Sequence, residues 1–295
     1  VTNENLQRII DLIHTAPADS TIEAIRALST DRAAHFPPLA DTRIERVSVR
    51  GIPAEWVVAP DVTPSCTILF LHGGAYISGA AANYRSFTSR LSAACNARIL
   101  ALDYRLAPEE PFPTAVEDAQ AAYTWLREDD DLPLFIMGDS AGGGLSLALM
   151  HALNIARIPQ PRAALLLSPW VDLTLSGESY ITRAEADPWL SEKMVAVAAE
   201  MYLNSANPQS PLISPLFGTF DGVPPLLIMV GGREILLSDS LRLAEKARAA
   251  GVNITLDVWY DMIHVFPIFA PLLPESQHAI DRIGLFLRYH LKREL

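Results

Sequence analysis

A chain of 295 residues, half of them apolar and 19% charged, has enough material for one large buried core and reads as a soluble globular protein. Its formal charge of −11 is spread along the sequence and the Lys and Arg form no cluster, which argues against nucleic acid or an anionic membrane surface as a partner. No apolar run approaches the roughly 18 residues of a spanning helix, and the first residues lack a basic stretch followed by an unbroken apolar core, so the expected location is the cytoplasm.

In chain order, Leu6, Ile9, Ile10 and Ile13 recur at helical spacing, and Ile22, Ile25 and Leu28 do so again after a break at Pro17. Two amphipathic helices are predicted, and their apolar faces must lie on something later in the chain. Residues 43–50 and 54–59 alternate apolar and polar around Gly51-Ile52-Pro53, which predicts an antiparallel hairpin at one sheet edge. Strands are then expected at 67–71, 97–103, 134–137, 163–167, 225–230 and 254–259, most of them continuous apolar runs. Helices fall between them at 84–95, 114–127, 140–153, 238–250 and 275–292. The alternation predicts an α/β fold, a single domain over 1–295 with a mostly parallel eight-stranded sheet flanked by helices. The segment 170–224 is too long for a simple crossover and carries its own helical pattern at 191–203. Such an insertion reads as a lid or binding loop, and with the N-terminal helices it predicts a helical cap built from 1–40 and roughly 171–215. Cys66 and Cys95, the only two cysteines, read as buried reduced thiols rather than a disulfide.

Two glycine-rich turns carry the chemistry. Gly138-Asp139-Ser140-Ala141-Gly142 lies between an apolar strand pattern and a helix pattern, with Ser140 at the apex of a turn too tight for side chains on either flank. A strained backbone there would lift the hydroxyl clear of the sheet, where a base can reach it. Asp139 should point away from it and serve a structural hydrogen bond. The second turn, His72-Gly73-Gly74-Ala75-Tyr76, follows the strand at 67–71 and can direct successive N–H groups into one space, as a developing oxyanion requires. Of the seven histidines, His264 lies in a short loop after the last strand, where the order serine, acid, histidine puts the base. His72 is expected to shape its turn rather than transfer protons.

Together these motifs resemble the bacterial branch of the hormone-sensitive-lipase group of α/β-hydrolases, with the GDSAG form of the nucleophile turn. The resemblance runs along nearly the whole chain and also rests on Asp103-Tyr104-Arg105-Leu106-Ala107-Pro108-Glu109, Phe112-Pro113, Ser168-Pro169-Trp170, Ser214-Pro215-Leu216 and Ile263-His264-Val265-Phe266. It implies a capped serine carboxylesterase that cleaves short-chain carboxylic esters through an acyl-enzyme, without a cofactor. A lactonase on the same triad is an alternative, and a non-catalytic small-molecule receptor on the same scaffold is an alternative of another class, against which the retained His264 argues. Register with the family places the acid at Glu234, with Asp239, inside a predicted helix, as the rival. The oxyanion hole falls on the Gly73, Gly74 and Ala75 turn together with Ala141. Ala75 replaces the family's third glycine, and its amide is kept undistorted only if φ there is negative. Tyr76, Trp170, Trp189, Met194, Tyr202 and Val265 are candidates for the pocket wall or, equally, for cap core. The expected partner is a small ester or lactone, with a homodimer through the C-terminal strand and helix left open.

Overall fold

The computed structural model describes residues 4–14, 21–129 and 131–292. The chain opens with helices α1 (Glu4–Ile13) and α2 (Ile22–Ala33), and the expected break at Pro17 lies outside the described residues. Strands β1 (Arg43–Val49) and β2 (Ile52–Val58) form the expected antiparallel hairpin, paired from Arg43↔Val58 to Val49↔Ile52. The turn sits at Arg50-Gly51, both at positive φ, one residue earlier than the Gly-Ile-Pro pattern suggests. The chain then alternates through β3 (Cys66–Leu71), α3 (Arg85–Cys95), β4 (Ala97–Leu102), α4 (Thr114–Asp129), β5 (Leu134–Asp139), α5 (Ala141–Ala156) and β6 (Ala164–Leu167). The long insertion follows with α6 (Ser179–Thr182) and α7 (Glu192–Leu203), and the chain closes through β7 (Leu226–Gly231), α8 (Leu237–Ala249), β8 (Ile254–Trp259) and α9 (Pro274–Leu291).

The eight strands form one sheet in the order β1-β2-β4-β3-β5-β6-β7-β8, parallel from β4 onward. Period-two alternation sends Leu69, Leu71, Ile136, Leu166 and Ile228 to one face, where α4, α5, α8 and the insertion cover them. Ile68, Phe70, Phe135, Met137 and Leu165 go to the other, under α3 and α9, in an apolar cluster that α1 joins. Helices on both faces are why these strands read as unbroken apolar runs. Cys66 and Cys95 are buried on that second face and are not joined in a disulfide. From β3 the chain moves outward to β4 and then returns to β5 on the other side of β3. The carboxyl ends of β3 and β5 therefore flank the crevice where such sheets bind ligands.

α1 buries Leu6, Ile9, Ile10 and Ile13 as its spacing requires. α2 does not follow suit: Ile22, Ile25 and Leu28 are only half-buried, and polar contacts do much of the holding. Arg26 donates to the carbonyls of Ile77 and Ala107 and pairs with Glu109, tying α2 to the loops after β3 and β4. Among the described residues no helix is long and apolar enough to cross a membrane.

Candidate active site

The turn at Ser140 is built by steric exclusion. β5 is buried along its whole length, Ser140 sits at φ 52 and ψ −121, and α5 begins at the next residue. Ser140 N–H donates to Leu167 O at 2.8 Å, while its carbonyl accepts from Trp170 N at 2.9 Å and Gly144 N at 3.1 Å, so the strained residue is held from both sides. A Cβ at Gly138 would run into the carbonyl of Gly142, and one at Gly142 into the carbonyl of Leu71.

From this turn a relay runs through three loops. Ser140 Oγ lies 2.9 Å from His264 Nε2, and His264 Nδ1 lies 2.7 Å from Glu234 Oε2. The carboxylate only accepts, so the ring proton belongs on Nδ1 and Nε2 is left to accept from the serine. Ser140 is 9% exposed, His264 3% and Glu234 0%, so burial deepens from the serine to the carboxylate. Burial opposes charging of His264, but the charge and hydrogen bond of Glu234, followed by the charges of Asp187 and Asp139, outweigh it and hold the imidazole above the ordinary histidine value.

The rival Asp239 does not reach the histidine. One of its oxygens accepts the amides of Val171 and Asp172, both at 3.0 Å, and burial with the nearby charge of Asp172 pushes it up to about 8. It anchors the start of the insertion instead.

Ser168, one residue past β6, has a role that sequence reasoning missed. Its hydroxyl donates to Glu234 Oε1 at 2.7 Å and accepts Val265 N–H at 3.1 Å, so one side chain fixes both Glu234 and the residue after His264. Gly231 N adds a second donor to Oε1 at 2.5 Å. The available signal was position: a polar residue at the carboxyl end of a buried strand, between the strands of the nucleophile and the acid. Ser168→Ala leaves the buried Val265 amide unpaired and frees Glu234 on one side. It is expected to cost about 1–3 kcal/mol of stability and to lower kcat by roughly ten- to a hundredfold through misplacement, read by thermal unfolding and ester hydrolysis.

The glycine turn after β3 differs from expectation in two ways. The Gly73 amide is already committed, donating to Asp139 Oδ1 at 2.9 Å and to Tyr84 OH at 3.1 Å, so it is not a free oxyanion donor. Asp139 thus has the structural role expected of it, and burial pushes its acid up to about 7. Among the described residues no acceptor takes the amides of Gly74, Ala75 or Ala141. Ala75 has φ 55, not the negative value its side chain favours, and Tyr76 follows at φ 64. The path is imposed by the turn itself, in which Gly74 O accepts from Ile77 N at 3.0 Å and Ser78 N at 2.9 Å. Ala75 therefore departs from the negative φ the sequence expectation required, at a strain of about 1–2 kcal/mol. His72 supports this turn as expected: it is buried, stacks on Tyr104 at 4.3 Å, and bonds Gly73 O at 2.8 Å, while Tyr104 OH donates to His72 O at 2.6 Å.

Among the pocket candidates, Tyr76 stacks on Tyr202 at 3.8 Å and 7°, with Trp170 6.2 Å from Tyr76, and all three are buried in the core beside the nucleophile turn. Trp189 is half-buried and meets the His264 ring edge to face at 5.8 Å. Val265 is buried, and Met194 is exposed on α7. No group of three or more His, Cys, Asp or Glu among the described residues is placed to hold a metal ion.

Residues 68–268 match the family model described as the alpha/beta hydrolase fold. An acetyl-hydrolase of Streptomyces hygroscopicus is 42% identical over 266 residues, covering 89% of each chain. The crystal structure of an esterase from the bacterial hormone-sensitive lipase family superposes with a TM-score of 0.96 at 44% identity, over 99% of both chains. The structure of EstE5 soaked with p-nitrophenyl butyrate does so with a TM-score of 0.92 at 43% identity, over 98% of this chain and 99% of that one.

Proposed function

Because this chain belongs to the bacterial hormone-sensitive-lipase branch of the α/β-hydrolase fold and is a carboxylic ester hydrolase, we propose that it hydrolyses short-chain carboxylic esters by a two-step serine mechanism. Ser140 Oγ attacks the ester carbonyl as His264 Nε2 takes its proton, and Glu234 stabilises the imidazolium that results. The amides of Gly74, Ala75 and Ala141 receive the oxyanion. His264 then protonates the departing alcohol, and a water activated by the same nitrogen cleaves the acyl-enzyme. The observation that carries this reading is the continuous Ser140–His264–Glu234 relay, at 2.9 and 2.7 Å, on a buried scaffold.

The preference for short acyl groups is supported by the buried Trp170, Tyr76 and Tyr202 rings, which pack on one another beside the turn at Ser140. We take α1, α2 and the insertion as the cap over the alcohol side, with Trp189 on the wall next to His264. The name acetyl-hydrolase borne by the Streptomyces relative agrees with a small acyl site.

A fluorophosphonate should add one mass increment at Ser140. In a p-nitrophenyl ester series, kcat/KM should be greatest for acetate or butyrate and fall by roughly a hundredfold at octanoate. An unlabelled serine would sink the mechanism, and a rate that climbs with chain length would sink the assignment of substrate.

A further inference from the structure

The insertion does more than cover the site: two of its consecutive residues grip the segment that carries the acid, one on each side. Arg233 Nε donates to Ala186 O at 3.3 Å, and Ile235 N–H donates to Asp187 Oδ2 at 2.9 Å, so the neighbours of Glu234 in the chain are both fastened to residues 186 and 187. The other oxygen of Asp187 accepts Trp189 N and Leu190 N, each at 2.9 Å, which fixes the turn that sets Trp189 in a T-shaped contact with His264. His14, at the end of α1, bonds Pro188 O at 2.8 Å and closes the turn from outside. Asp187 is buried, and its carboxylate is spent on three amides that do not belong to one helix or one strand. Such a residue joins the insertion to the catalytic machinery.

We propose that Asp187 is a positioning residue for the Glu234–His264 pair, and that its negative charge stabilises the His264 imidazolium formed when Ser140 attacks. The proposal rests on the serine-esterase reading above. The charged groups facing His264 are Glu234, which dominates, then Asp187 and Asp139, all of one sign and all favouring the protonated ring against burial. Removing one of them keeps the ring neutral to lower pH and at the same time weakens the transition state in which it is charged.

The test is the pH dependence of p-nitrophenyl acetate hydrolysis in Asp187→Asn beside the wild type, with fluorophosphonate labelling of both. The variant is expected to lose kcat by about tenfold with KM within about twofold, as for an interaction made in the transition state. The acidic limb of kcat/KM should move to lower pH by about half a unit or more. A purely structural role lowers the folded fraction and leaves that limb where it was. Asp187→Ser, whose hydroxyl still accepts the amides of the turn but carries no charge, must displace the limb in the same direction. An unmoved limb in a folded variant, wild-type rates, or failure of both variants to fold would overturn the assignment. If the wild type itself is not labelled at Ser140, the esterase mechanism falls and this inference with it. A labelled wild type with an unmoved limb removes Asp187 alone.

Discussion

Alanine at position 140 is expected to leave the protein folded and to cut ester hydrolysis by about a hundred thousand- to a millionfold. The first half of that expectation comes from the backbone. The strain at φ 52 and ψ −121 is the same for serine and alanine, and the bonds that hold the turn, to Leu167, Trp170 and Gly144, use main-chain atoms only. The hydroxyl hydrogen-bonds to His264. The second half comes from geometry: with a methyl group at the apex, Nε2 faces no proton to abstract, and no acyl-enzyme can form. Residual turnover would reflect binding and the oxyanion amides alone. Steady-state hydrolysis of p-nitrophenyl acetate with a melting curve on the same sample decides it. Equal rates, or a variant that melts many degrees lower, would contradict the role or the account of the turn.

Glu234→Gln should cost about ten thousandfold in kcat, and the reason lies in what surrounds the acid. Oε1 receives two donors, Ser168 Oγ and Gly231 N, and the second of these can never accept. The amide of a glutamine must therefore keep its oxygen at Oε1 and turn its NH2 toward His264 Nδ1. That nitrogen then has to accept, which moves the ring proton to Nε2, where it faces Ser140 and cannot act as a base. The pH profile carries a second signature. In the wild type the folded-state histidine lies above its ordinary value, 6.5, because the charge and hydrogen bond of Glu234 outweigh burial, so activity should be lost on acidification through a midpoint above 6.5. Without the carboxylate charge, burial dominates, the imidazole stays neutral further into acid, and the midpoint should drop. A midpoint that stays in place would mean the limb reports another group.

The strands and their neighbours could be read from the sequence because the central parallel strands β3, β5, β6 and β7 are buried along their whole length and must be largely apolar, and because glycine at 138 and 142 has no steric alternative. Ser140 was legible as the residue just past a buried strand, and His264 as the histidine in the short loop after the last one. Glu234 was legible only by register with the family: chemically Asp239 was its equal, and what separates them, five residues of loop and helix start, is a matter of three-dimensional reach. Gly73 and Ala75 show the limit most clearly. The Gly-Gly-Ala pattern says that amides can turn inward, but which of them is already taken depends on Asp139 and Tyr84, far away in the chain. The sign of φ at Ala75 follows from bonds to Gly74 O that no local preference forecasts. α2 misled for the opposite reason, since its spacing of apolar residues hid the polar clasp of Arg26.

The register of the parallel strands has a kinetic consequence. Asp139 pairs with Leu167, Leu167 with Met229 and Met229 with Asp257, so the loops bearing the hydroxyl, the acid and the imidazole are levelled against one another by a single row across the sheet. Slipping any one strand by a residue displaces its loop by about 3.3 Å and turns its side chains to the wrong face, more than a 2.9 Å hydrogen bond can survive. During refolding, then, recovery of ester cleavage marks the moment the whole row is aligned, and a chain with one misaligned strand is enzymatically silent however compact it has become.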